Sequence, residues 1–155
     1  MSDSTSHAAD AAADRAFIHA RRIDAPPERV FRAFSEPAHL ARWWGPSGFT
    51  STFEGFDLRP GGVWKFVLHG PDGTDYPNEC VFVDVVVPER IVFEHLSGHH
   101  FEMTLTFSAD GADGTLVGWR QVFDSAAERE RIAAVVTEAN EQNLDRLAAE
   151  VRNVR

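Results

Sequence analysis

The sequence predicts an α+β domain in which a curved antiparallel sheet of about seven strands, accompanied by two short helices, grips a long C-terminal helix. Two observations carry this reading. From Phe49 onward, turn signals recur at nearly regular intervals between runs of alternating apolar residues. The last stretch then changes to helical periodicity, with Ile132, Val135, Val136, Ala139, Leu144, Leu147 and Val151 on one stripe.

The elements follow in order. Residues 1–15 hold Ser, Asp and Ala with no large apolar side chain, and are expected to form a disordered tail before a domain over 16–152. The run Ala16–Asp24 places Phe17 and Ile23 on one face and reads as a first strand. Asp24 or Ala25 then precedes a helix whose first turn accepts Pro26 and Pro27, with Val30, Phe31 and Phe34 at helical spacing. Glu36-Pro37 ends it and starts a second short helix, which Gly45-Pro46 stops.

Arg59-Pro60-Gly61-Gly62, Gly70-Pro71-Asp72-Gly73, Val87-Pro88-Glu89-Arg90, Ser97-Gly98 and Ala109–Gly114 are turns that delimit six further strands. Alternation is clearest in Trp64, Phe66 and Leu68, and in Phe101, Met103, Leu105 and Phe107. Asp124 or Ser125 caps the long helix, and Glu128 completes a capping box with Ser125.

Composition narrows the function classes. A net charge of −9 leaves no electrostatic footprint for a phosphate backbone, so nucleic acid is not an expected partner. No apolar run approaches the roughly eighteen residues needed to span a bilayer, and the start lacks a secretory pattern. A soluble, cytoplasmic protein without membrane insertion is expected. The single cysteine, Cys80, excludes an internal disulfide and sits on a strand as a small apolar residue. Twelve Phe and four Trp supply enough aromatic surface to wall a cavity around a small hydrophobic molecule.

Candidate ligand-binding residues come from this pattern. Trp43 and Trp44 diverge by about 100° if helical, so one faces the cavity or its mouth, unless both cover the open end of the sheet. Phe66, Phe93 and Trp119 face inward by alternation, as ligand contacts or as ordinary core. Asn140 and Asn143 lie on the apolar face of the long helix, where buried amides need partners and either orient a ligand or tie helix to sheet. Gln121 shares the parity of Trp119.

Catalytic and metal chemistry find no comparable pattern. His95, His99 and His100 cluster at a hairpin, but His99 and His100 point apart on a strand, so solvated turn histidines are expected and no metal site. Glu94-His95 fails as an acid–base pair for the same reason, and Glu54, Asp57, Glu79, Asp84 and Glu102 show no spacing that makes any two converge. Phosphate-loop, dinucleotide and nucleophile-elbow motifs are missing, and no cofactor is expected.

Five stretches in this order resemble a known family: Asp24-Ala25-Pro26-Pro27-Glu28-Arg29-Val30-Phe31, Trp43-Trp44-Gly45-Pro46, Asp57-Leu58-Arg59-Pro60-Gly61-Gly62-Val63-Trp64, Pro88-Glu89-Arg90-Ile91-Val92-Phe93 and Asn140–Leu147. They are similar to the START-like (SRPBCC) helix-grip superfamily, in its bacterial branch related to the activator of the ninety-kilodalton heat-shock chaperone ATPase. The resemblance covers about Phe17 to Val151 and implies a deep cavity between sheet and long helix. It implies no single activity, since the superfamily holds lipid carriers, hormone receptors and cyclases. Binding of a small hydrophobic or aromatic ligand is the expectation. A cyclase, dehydratase or hydrolase using the same cavity, or a chaperone-associated interaction domain, are the alternatives. The sheet edges and the Trp43-Trp44 region also offer surfaces for a homodimer.

Overall fold

The computed structural model describes residues 12–155. Residues 1–11 of the expected tail lie outside them. The chain runs β1 (Ala16–Ile23), α1 (Pro27–Ser35), α2 (Pro37–Trp43), β2 (Thr50–Phe56), β3 (Val63–His69), β4 (Asp75–Val86), β5 (Arg90–His95), β6 (Phe101–Asp110), β7 (Gly114–Phe123) and α3 (Ala126–Val151). The fold is α+β and helix-grip-like, with one antiparallel sheet in the order β1-β7-β6-β5-β4-β3-β2.

Strands β2 to β7 form a meander because short turns can join only antiparallel neighbours. β1 lies beyond β7, so α1 and α2 carry the chain from one edge of the sheet to the other. Proline shapes both helices. Pro27 and Pro37 occupy first-turn positions where no N–H is needed, and the residues before the helices, Pro26 and Glu36, are extended and give no side-chain cap. The helix start anticipated at Asp24 or Ala25 is therefore set by proline geometry instead.

Register collects the large side chains on the concave face. Trp119 lies opposite His19 and Leu105, Gln121 opposite Phe17 and Met103, and Phe123 opposite Phe101. Register shifts at Phe53/Gly55 and Phe82/Asp84 add local bend. The second is braced by the Arg59–Gly62 turn: Gly61 N–H donates to Phe82 O at 2.8 Å and Phe82 N–H to Gly62 O at 2.9 Å. A Cβ on Gly62 would stand 2.0 Å from Asp57 O, so only glycine closes this turn.

One end of the concavity is filled. Val30, Phe31, Ala33 and Phe34 of α1 are buried there, and the Phe34 ring lies 5.7 Å from Trp64 and 6.4 Å from both Phe82 and Phe93. Trp43 joins this core, donating from Nε1 to Ala33 O at 2.8 Å and so tying α2 to α1.

Ser125 caps the long helix, its Oγ accepting from Glu128 N–H at 3.1 Å, but the expected capping box is only half formed, because the Glu128 carboxylate turns to His99 Nδ1 at 2.6 Å. Its buried residues are Asn140, Asn143, Leu144, Leu147, Glu150 and Val151, all in its C-terminal half. Val135, placed in the covered stripe by periodicity, is 75% exposed. It is one residue, or about 100°, away from Val136, and the inward line runs through Ile132, Val136, Ala139, Asn140 and Asn143 instead. Beyond the helix, Val154 is fully buried, and Arg15 Nη1 donates to Phe123 O at 2.9 Å.

Candidate ligand cavity

Between the sheet and the N-terminal half of α3 the concave face lines a wide-mouthed cavity of about 340 Å3. The sheet supplies Phe66 and Leu68 from β3, Cys80 from β4, His95 from β5, Phe101 and Met103 from β6, and Trp119, Gln121 and Phe123 from β7. The helix supplies Ile132, Val136, Ala139, Asn140 and Asn143, and Trp44-Gly45-Pro46 forms part of the rim. Among the described residues lining it, none is Asp, Glu, Lys or Arg.

Trp44 reaches the cavity because it has left the helix. It is the C-terminal cap of α2, with extended backbone (φ −71°, ψ 127°), and its ring stacks on Trp119 at 5.7 Å and 21°. Trp43, still helical, turns into the core, so the two neighbours diverge in role although their rings touch at 5.5 Å. The turn after Trp44 is held almost entirely by α3. Asn143 Oδ1 accepts from Gly45 N–H at 3.2 Å and Gln142 Oε1 from Ser47 N–H at 3.1 Å. The Arg146 guanidinium donates to Arg42 O (2.8 Å), Gly45 O (2.8 Å) and Pro46 O (3.0 Å). Burial moves Arg146 below the ordinary arginine value, and three carbonyl acceptors take three of its five N–H donors. Gly45 has φ +107°, open to glycine but strained for other residues. Thus the Trp43–Pro46 and Asn140–Leu147 segments, remote in sequence, are the two sides of one contact.

The polar wall is an amide pair. Asn140 Nδ2 donates to Gln121 Oε1 at 3.0 Å and lies 3.4 Å from His19 Nε2, while His19 Nδ1 meets Glu141 Oε2 at 2.5 Å. Arg21 in turn donates to Glu141 at 2.9 Å and to Asp145 at 2.7 Å. Glu141 is held below the usual carboxylate range chiefly by its hydrogen bond from His19, with Arg21 adding to it.

At another part of the wall, His95 stacks on Phe101 at 4.6 Å and 8°. Its Nδ1 lies 2.7 Å from His99 O and its Nε2 lies 2.6 Å from Asn78 Oδ1. Burial, reinforced by the nearby charges of His100 and His99, lowers its pKa although the His99 carbonyl favours the charged ring. His95 is therefore part of the cavity wall and not the solvated turn residue that the sequence suggests. His99 and His100 are more open to solvent, pairing with Glu128 (2.6 Å) and with Glu94 (2.5 Å) and Asp124 (2.7 Å) respectively, although His99 also borders the cavity. Burial pushes the Cys80 thiol well above its ordinary range, which leaves it without nucleophilic character.

Of the residues singled out by sequence, Trp44, Phe66, Trp119, Gln121, Asn140 and Asn143 line the cavity. Trp43 and Phe93 are buried in the adjoining core, where Phe93 packs on Phe34 and Trp64. Sequence reasoning missed Tyr76, Phe123, Ile132 and Val136 on the wall, although alternation through Trp119 and Gln121 reaches Phe123. It also missed His19 and Arg146, whose contacts lie 121 and about 100 positions away and leave no local trace.

An open sheet wrapped on a long helix, with an aromatic cavity between them, defines a helix-grip protein of the START-like superfamily. The model for the family described as Activator of Hsp90 ATPase homolog 1-like protein matches residues 24–152, and the chain belongs to that family. Such proteins are typically ligand-binding or chaperone-associated. Among curated proteins, none matches the sequence. Solved structures that resemble it include a Nitrosomonas europaea protein (19% identity, TM-score 0.82, covering 91% of this chain and 96% of that one). An Arthrobacter aurescens protein is similar (22%, TM-score 0.83, 92% and 88%), as is one from Chromobacterium violaceum (27%, TM-score 0.75, 86% and 95%). No helix among the described residues is long and apolar enough to cross a membrane.

Proposed function

We propose that this chain is a cytoplasmic binding protein for a small hydrophobic or aromatic molecule held between the sheet and α3. The observation that carries the reading is the 340 Å3 cavity itself, walled by Trp44, Phe66, Phe101, Trp119 and Phe123 with few polar atoms. Ligand pockets run from roughly 300 to 1,000 Å3 and combine mostly apolar walls with a few fixed polar groups. The cavity is at the small end of that range, suited to one or two fused rings. Among the described lining residues the wall carries no carboxylate to act with His95, which favours binding over acid–base catalysis.

Two measurements test the reading. Native mass spectrometry of protein purified from its own source should show a retained small molecule, and the same spectrum reads out whether the chain is monomeric or dimeric. Naphthalene, used as a probe, should quench tryptophan fluorescence saturably through Trp44 and Trp119. An absence of both retained ligand and saturable quenching would sink the proposal and favour the chaperone-associated reading.

A further inference from the structure

Resting on that reading, we infer that the ligand is uncharged and carries a hydrogen-bonding edge of the amide or lactam type, a carbonyl beside an N–H. The Asn140–Gln121 bond uses one atom of each amide and leaves Asn140 Oδ1 and Gln121 Nε2 without partners among the described residues. Asn143 spends Oδ1 on Gly45 N–H and leaves Nδ2 unpartnered in the same way. None of these three atoms is among the fully buried unpaired ones, which among the described residues are Trp64 Nε1 and Trp119 Nε1. Each of the three therefore keeps some accessible surface, and all belong to residues of the cavity wall.

The orientation of the pair is not arbitrary. Asn140 Nδ2 lies 3.0 Å from Gln121 Oε1 and 3.4 Å from His19 Nε2, and the Glu141 carboxylate holds the other ring nitrogen of His19 at 2.5 Å, so the Asn140 NH2 group is turned toward β1 and β7. Asn140 then presents its oxygen and Gln121 its NH2. Exchanging O and N in both amides would still leave one donor and one acceptor open, so the complementarity survives either assignment. Two donors and one acceptor match a carbonyl oxygen flanked by an N–H. A carboxylate fits poorly, because its second oxygen would face Asn140 Oδ1 and no Lys or Arg lines the described wall to balance a buried charge.

The test is a series of four probes of similar shape, titrated by tryptophan fluorescence at mildly alkaline pH: carbostyril, which is a flat bicyclic lactam, N-methylcarbostyril, naphthalene and naphthoate. Wild-type protein should bind carbostyril at least about tenfold more tightly than the N-methyl compound, which has lost its donor, and than naphthalene. In Gln121→Met, which keeps volume and removes the amide, the preference for carbostyril over N-methylcarbostyril should shrink to about twofold or less. Equal binding of carbostyril, N-methylcarbostyril and naphthalene by wild type would overturn the inference and leave the apolar cavity standing. Tightest binding of naphthoate would overturn it in favour of an anionic ligand, and a lactam preference unchanged in Gln121→Met would overturn the assignment to this amide pair. Should none of the four bind, inference and parent reading fall together. The wild-type series alone decides the question if the variant does not fold.

Discussion

The two halves of α3 share one periodicity and do opposite things. From Asn140 to Val151 the helix is buried by Leu144, Leu147 and Val151 and is pinned through Asn143, Arg146 and Glu150. From Ala126 to Ala139 no residue is fully buried, and Ile132, Val136 and Ala139 face the cavity. The difference lies in what stands opposite. The C-terminal half meets α2, where Glu150 Oε2 lies 2.6 Å from His39 Nδ1, and the N-terminal half roofs the part of the sheet that neither short helix fills. One half holds the fold and the other leaves room.

That comparison is broken most directly by truncating each half. Leu147→Ala should cost about 2–5 kcal/mol, because the side chain is almost fully buried among fixed neighbours. Val136→Ala, on the partly exposed roof, should cost under about 1 kcal/mol. Urea unfolding of both variants gives the contrast, and equal losses would mean that the roof packs as tightly as the anchor.

Arg146→Met comes next. It keeps an apolar stem but removes the donors to three backbone carbonyls, and should cost about 1–3 kcal/mol. Since those carbonyls belong to the turn that carries Trp44, the tryptophan emission should also shift to the red. A variant with wild-type stability and spectrum would show that α3 does not hold this turn.

How much of this was legible follows from the range of each interaction. Strand alternation through Trp64–Leu68 and Phe101–Phe107 and the Ser125–Glu128 cap are local, and the structure has them where the sequence indicates. The Trp43–Pro46 and Asn140–Leu147 stretches stood out through the family resemblance, but not that Arg146 and Asn143 join them. Which inward residues pack and which line empty space was not legible: Phe66 and Phe93 have equivalent alternation, yet only Phe66 borders the cavity. The outcome is set by α1, whose Phe34 covers Phe93 and leaves the opposite end of the sheet open. Val135 shows the same limit on a helix, because apolar spacing does not say where the covered arc ends.

The roof half can be tested without loss of the anchor. Val136→Phe should fill the cavity and abolish saturable naphthalene quenching, while the unfolding midpoint moves little, since the added ring enters space that is already empty. Quenching that persists unchanged would place the probe elsewhere.

The smallest effect concerns the histidines at the far end of the roof. His100 is raised above its ordinary 6.5, first by its hydrogen bond to Glu94 and then by Asp124, both at a site open to solvent. A histidine raised on folding contributes stability that is complete below its unfolded value and is lost as pH rises through the folded one. His95 is lowered, mainly by burial, and has the opposite sign: its contribution is complete above the unfolded value and is lost as pH falls toward the folded one. Both act on the β5–β6 hairpin, so its local stability should peak near the ordinary histidine value and decline on either side, with slopes softened by solvent screening at His100. Ring resonances followed by NMR across the acid-to-neutral range should give a midpoint above 6.5 for His100 and below 6.5 for His95. His100→Gln should remove the high-pH decline in amide protection of the hairpin and keep the low-pH one. Midpoints on the same side would mean that His95 is not desolvated by the cavity wall, and the boundary between wall and surface would then lie inside His95 instead of between it and His100.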